Sequence, residues 1–157
     1  MDELKRRNTR FTLLELMLVV LILGILALAA IQLIQPFAKE VREASLKSEL
    51  HSLRHQILAY QLHHNGNLPT PDQLYELLTN RTTPDGVVVK VGGVGPYLSK
   101  FPKNPFNGRI DVKAIPAGGT LLPDDSSGWL YAVEGSNFTI AANSAGLDRS
   151  GIPFICY

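Results

Sequence analysis

The 157-residue chain has a single cysteine, Cys156, so no disulfide can form within it. Net charge is nearly absent. Fifteen Lys and Arg against fourteen Asp and Glu leave +1, which excludes bulk attraction to nucleic acid. Basic residues are dispersed and balanced by acids, so no direct nucleic-acid interface is expected. Signatures of catalysis are missing as well. The serines lack a nucleophile-elbow pattern, Cys156 has no histidine beside it, and the acids are scattered. The cluster Gly92-Gly93-Val94-Gly95 has neither the Lys and Ser/Thr of a P-loop nor dinucleotide-binding spacing, and reads as a loop. Nothing here points to an enzyme. Charge is also missing locally, because residues 16–38 carry no charged side chain.

What fills that gap is FTLLELMLVVLILGILALAAI, residues 11–31, with one acid, Glu15, near its start. At about 1.5 Å rise per residue the uncharged run is long enough to cross a hydrocarbon core of about 30 Å as a helix. Lys5, Arg6 and Arg7 precede it, and Lys39, Glu40, Arg42 and Glu43 follow as a mixed group. The positive-inside bias then keeps the N-terminus cytoplasmic and puts everything after Ala38 across the membrane. A cleaved secretory signal has a shorter apolar core, although Leu28, Ala29, Ala30 and Ile31 offer a weak cleavage site. A plain signal anchor and a buried helix of a soluble protein complete the alternatives. None of the three accounts for Glu15, since a carboxylate in such a run is expensive and is usually paired or functional. Its place in the first turn favours compensation by the helix N-terminus or by a cation.

Phe11, Thr12, Leu13, Leu14, Glu15, Leu16 and Met17, with Gly24 and Ala27 further on, resemble the N-terminal class III signal of type IV pilins and type II secretion pseudopilins. The resemblance implies that a prepilin peptidase cuts on the cytoplasmic face before Phe11 and methylates the new amine. The mature subunit then waits in the membrane until it is extracted into a helical filament. It also implies that Glu15 meets the N-terminal amine of a neighbouring subunit, a pairing that selects axial register. The family has Gly before the cut, whereas this sequence has Arg10, which adds bulk and charge. The docking of Glu15 requires a free Phe11.

Apolar spacing continues through Ile34, Phe37, Val41, Ala44, Leu46, Leu50, Leu53, Ile57 and Tyr60 in steps of mostly three and four, which predicts one helix to about His64. Its second half is amphipathic and packs on the body. Pro36 removes one helical bond and should bend or loosen its turn, and Gly24 permits close helix approach. The family often has a stem proline, about four residues before Pro36. His51 and His55 share a helical face at a spacing that suits a metal, but no His-Glu-x-x-His pattern or third ligand accompanies them, so surface or packing roles are the expectation. Asn65-Gly66-Asn67 should stop the helix. Thr70 as N-cap, Pro71 at N1 and Gln73 at the capping-box position predict a short helix from Pro71 to about Thr79, followed by turn over residues 80–86. Strands are expected over 87–91, 109–113, 129–133, 137–142 and, weakly, 152–155.

The fold class expected is α+β: a long N-terminal transmembrane and stem helix packed against a small antiparallel β-sheet, the pilin-like fold. The organisation expected is a cytoplasmic leader over 1–10, a membrane segment over 11–38, an amphipathic stem over 39–64 and a periplasmic or extracellular body over 65–157. Two further stretches, Gly95-Pro96-Tyr97-Leu98 through Gly108 and Ser144 through Gly151, resemble the major pseudopilin of type II secretion. In that group the C-terminal loops hold calcium, which makes Asp124, Asp125 and Asp148 candidate ligands, with an acidic surface turn as the simpler reading. No other cofactor is implied. The resemblance implies a structural subunit of the secretion pseudopilus that drives protein export. Its partners would be copies of itself, other pseudopilins or pilins, the prepilin peptidase, the inner-membrane assembly platform and lipid. Its place would be the inner membrane, single-pass, and after assembly a filament in the periplasm. The alternatives are a minor pilin of a type IV or competence pilus, acting in adhesion, motility or DNA uptake, and an anchored binding domain that does not polymerise.

Overall fold

The structure is a computed structural model and describes residues 12–157, without the side chains of residues 30–36. It is an α+β protein. Helix α1 (Leu13–His63) is followed by a 3₁₀ turn (Pro71–Gln73), helix α2 (Leu74–Thr79), and strands β1 (Arg81–Thr82), β2 (Val88–Val89), β3 (Val112–Ile115), β4 (Trp129–Glu134) and β5 (Asn137–Ala142). A second 3₁₀ turn, Phe154–Cys156, lies near the C-terminal end. The chain divides into two compact units, one ending at Lys39 and the other Glu40–Tyr157.

In the first unit the described side chains of α1 are exposed on every face, from Leu13 through Leu28. Among the described residues no helix is long and apolar enough to cross a membrane. The described side chains of the apolar run stop at Ala29, short of the about 20 residues a span needs.

The second unit is built around the inward stripe of α1. Leu46, Leu50, Leu53, Ile57 and Tyr60 recur at steps of three and four, the spacing of one helical face, and all are buried. They join Leu74, Leu77 and Leu78 of α2, Trp129 and Tyr131 of β4, Ile140 and Ala142 of β5, and Phe101 and Phe154 from loops in one core. Each such leucine removed from water contributes about 1.5–3 kcal/mol. The polar tips of the two large aromatics of β4 are satisfied. Trp129 Nε1 donates to the Pro102 carbonyl at 3.1 Å and the Tyr131 hydroxyl donates to the Pro69 carbonyl at 3.2 Å. The helix stops as expected. Asn65 (φ 56°) and Gly66 (φ 85°) turn into the left-handed region, and the Gly66 amide donates to the Gln61 carbonyl at 2.9 Å.

The sheet differs from expectation. Strand β4 pairs β5 antiparallel, with Trp129 opposite Ala142 and Glu134 opposite Asn137, but β3 pairs β4 parallel, with Val112 opposite Trp129. The three-stranded sheet is therefore mixed. The connection from Pro116 to Gly128 is long enough to return the chain for a parallel pairing, where a hairpin would have forced antiparallel strands. β1 and β2 form a separate antiparallel pair, and β1 lies in the segment expected to be only turn. The expected strand over 152–155 is instead the second 3₁₀ turn, tied by a single bridge between Leu147 and Pro153. The expected helix from Pro71 opens as a 3₁₀ turn. Thr70 is its N-cap in extended conformation, yet its hydroxyl donates to Gln73 Oε1 at 3.1 Å rather than accepting a backbone amide. α1 is helical through Pro36.

Leu53→Ala should cost about 2–5 kcal/mol, because a full side chain leaves a packed core. Leu62→Ala, at a position 82% exposed on the same helix, should change stability by no more than about 0.5 kcal/mol. Urea unfolding of both variants checks the orientation of α1, and equal losses would contradict it.

Candidate functional site

Thr12 caps α1. Its Oγ1 accepts the Glu15 amide at 3.2 Å and its carbonyl accepts the Leu16 amide at 3.1 Å. Thr12 and Glu15 thus occupy the N-cap and N3 positions of the capping-box pattern, a signal the sequence itself carries. Among the described residues none donates a hydrogen bond to the Glu15 carboxylate, which stands exposed in the first turn. A Cβ built on Gly24 meets nothing within 4 Å, so that face of α1 is open to a neighbour. Arg10, Phe11 and the leader lie outside the described residues, as does the side chain of Pro36.

The acids of the body are treated in the opposite way. Lys113 Nζ, on β3, donates to Asp124 Oδ2, while Asp124 Oδ1 accepts the Ser126 hydroxyl at 2.6 Å, the Ser126 amide at 3.1 Å and Asn143 Nδ2 at 2.7 Å. The Lys113 ammonium first, then Ser126 and Asn143, hold this carboxyl well below the usual carboxylate range. Asp125 is exposed beside it with φ 56°. Asp148 belongs to a second network. Its Oδ1 accepts the amides of Ser150 at 2.7 Å and Ile152 at 2.8 Å, and its Oδ2 accepts the Tyr157 hydroxyl at 2.7 Å. Lys47 Nζ, on α1, stands 3.9 Å from Oδ2 and 4.3 Å from the centre of the Tyr157 ring. The Tyr157 hydroxyl is the main cause of a depressed Asp148 pKa, with the Ile152 amide next. Burial, and then Asp148 itself, raises the Tyr157 phenol. Arg54 closes the clasp by donating through Nη2 to the Ile140 carbonyl at 3.1 Å and to the Tyr157 backbone oxygen.

The candidate calcium ligands are therefore not brought together. Calcium takes six to eight oxygens. Both oxygens of Asp124 are committed to protein donors, and an ammonium already supplies its counter-charge. Asp148 is committed to donors of the C-terminal turn. Among the described residues no three His, Cys, Asp or Glu side chains gather for a metal. The residues present do not fit calcium.

Three asparagines do the local organising, two of them, Asn104 and Asn107, within the stretch between Gly95 and Gly108. Asn104 is fully buried. Its Nδ2 donates to the Gly128 carbonyl at 2.8 Å and to Ser144 Oγ at 3.0 Å, and its Oδ1 accepts the Phe106 amide at 2.9 Å. Asn107 Nδ2 donates to the carbonyls of Ser127 at 2.8 Å and Asn143 at 2.9 Å. Asn143 then reaches Asp124. The stretch from Pro102 to Gly108 is thus tied to the residues just before β4 and to the loop after β5. Gly128 sits where these lines converge, and a Cβ there would lie 2.4 Å from the Arg109 carbonyl oxygen. His64 is equally structural. Its Nδ1 donates to the Tyr60 carbonyl at 2.7 Å, so Nε2 accepts from Thr82 Oγ1 at 2.9 Å, and its ring stacks on Tyr60 at 3.6 Å. Comparison of the chain with models of known protein families, with curated proteins and with solved structures yields no significant match.

The Asp148 clasp carries a definite pH sign. A carboxylate whose folded pKa is depressed adds stability above the unfolded value of about 3.9, and loses it as pH falls through the folded value. Tyr157→Phe should lower the thermal midpoint at pH 7, and the gap from the parent should narrow on acid titration through that window. A gap that stays constant with pH would contradict the clasp. Thermal melts with calcium and with a calcium chelator should coincide, and a midpoint that rises with calcium would contradict the donor assignments.

Proposed function

We propose that the chain is a membrane-anchored filament subunit of the pilin-like class, and within that class a structural pseudopilin of a type II secretion pseudopilus. The observation that carries the reading is Glu15. Its carboxylate stands in the first turn of α1 without a donor among the described residues, on a segment whose leucines and valines are exposed all round. Such a surface needs a cover, and lipid followed by neighbouring helices supplies one. Within that cover a carboxylate is costly until a cation meets it. The amine released before Phe11 is a cation of the right kind, and meeting Glu15 across two subunits fixes their axial register. The apolar run of residues 16–38 serves as the membrane anchor of a single-pass subunit. The N-terminus is cytoplasmic, the body is periplasmic, and the assembled filament stands in the periplasm.

Support for the secretion branch comes from the stretch between Gly95 and Gly108. Its sequence resembles that of the major pseudopilins, and its asparagines organise the loops around β4. The pilin-like fold is proposed on the same footing, from a helix whose Leu46-to-Tyr60 stripe carries a small sheet. No catalytic step is part of the proposal.

Glu15→Gln removes the charge and keeps the size of the side chain, while the cap, made by the backbone amide of residue 15 to Thr12 Oγ1, is untouched. The variant should be inserted and stable, yet fail to accumulate as filaments when expressed with an assembly machinery, as should Glu15→Ala. Filaments of Glu15→Gln at the parental level would remove the charge from the account.

A further inference from the structure

His51 and His55 lie one turn apart on α1, both exposed. The neighbouring Leu50, Leu53 and Ile57 are fully buried, which fixes the rotation of the helix and turns the two imidazoles outward together. Their rings meet edge to face, with centroids 4.3 Å apart and planes at 73°, and the two Nε2 atoms converge to 3.0 Å. At that distance one Nε2–H donates to the other Nε2, so the pair presents two nitrogens to the same volume of solvent.

We propose that His51 and His55 form a two-nitrogen chelate for a divalent transition metal of the borderline-soft kind, best suited to copper(II) or nickel(II). Metal–imidazole bonds of about 2.0–2.1 Å onto nitrogens this close subtend roughly a right angle at the metal, which matches adjacent positions of a tetragonal site. A tetrahedral zinc site asks for a wider angle and for the rings to part. The ring that donates in the metal-free pair moves its proton to Nδ1, so both Nε2 lone pairs bind and no proton is lost from the neutral pair. The nearby cations do not occupy the site. Lys47 is drawn to Asp148 and the Tyr157 ring, and Arg54 is directed to the carbonyl of Ile140. Among the described residues no third His, Cys, Asp or Glu completes a cluster, so water fills the remaining positions. The chelate ties successive turns of α1 where that helix carries the core on its other side.

The test uses the full chain in detergent micelles, titrated with copper(II) chloride in a non-chelating buffer. Electron paramagnetic resonance should show nitrogen coupling from two imidazoles, and the thermal midpoint should climb with the logarithm of metal concentration. His51→Ala and His55→Ala should each weaken binding by about 10-fold or more, and the double variant should abolish it, with helix content by circular dichroism unchanged because both sites are exposed. Cys156→Ser and His63→Ala should leave affinity as it was. Copper binding that survives the double variant, or that is lost with Cys156→Ser, would overturn the assignment.

Discussion

The packing of one helical stripe on one strand pair is the constraint from which the body follows. Leu46, Leu50, Leu53, Ile57 and Tyr60 present a continuous apolar edge, and Trp129, Tyr131 and Ile140 close on it. The two large aromatics of β4 bring their polar tips with them, and those tips select which loops come near. Trp129 Nε1 needs an acceptor and takes the Pro102 carbonyl, while the Tyr131 hydroxyl takes that of Pro69. The loop before the 3₁₀ turn and the loop before β3 are thereby placed by the core rather than by their own preferences. Asn104 and Asn107 extend the same logic outward, since each bonds mainly to backbone groups of segments already brought near, with Ser144 Oγ the one side-chain acceptor for Asn104.

The chain handles its acids in two ways, and the contrast carries the functional reading. In the body, Asp124 and Asp148 are answered locally by lysine, serine, asparagine and tyrosine, and both pKa values move down in consequence. These carboxylates are part of the structure and have little capacity left for an outside partner. Glu15 has no such answer among the described residues, although it stands where desolvation would be most expensive. A charge left open on an apolar surface is a liability for an isolated chain and a specificity device for an assembly.

Much of the helical part was legible because its signal is periodic. The three-and-four spacing from Leu46 to Tyr60 predicts both the helix and its buried face, and Asn65-Gly66 marks its end. β5 was equally legible: the run 137–142 alternates over its first four residues and is bracketed by Gly135 and by Asn143. β3 was displaced toward the C-terminus, from 109–113 to Val112–Ile115, because the Arg109 carbonyl accepts the Asn104 amide and the ladder with β4 starts only at the Asp111 carbonyl, which accepts the Trp129 amide at 3.1 Å. Its parallel direction was not legible at all, since strand direction depends on the path of the Pro116–Gly128 connection and no local pattern encodes it. The site was read in part. Asp124 and Asp148 were picked out by residue type, but type alone does not reveal that Lys113 and Tyr157 satisfy them, because those pairings span 11 and 9 residues and arise from the fold. Thr12 was the missed signal that a residue pattern did hold, three positions before Glu15.

The central claim is that Glu15 awaits an amine released at Phe11, and the chemical identity of the mature N-terminus tests it most directly. Mass spectrometry of the protein recovered from native membranes should find a chain that begins with N-methylated Phe11, Arg10 and the residues before it having been removed. A chain that retains Met1, or that is cut elsewhere, would leave Glu15 without its partner and would contradict the account.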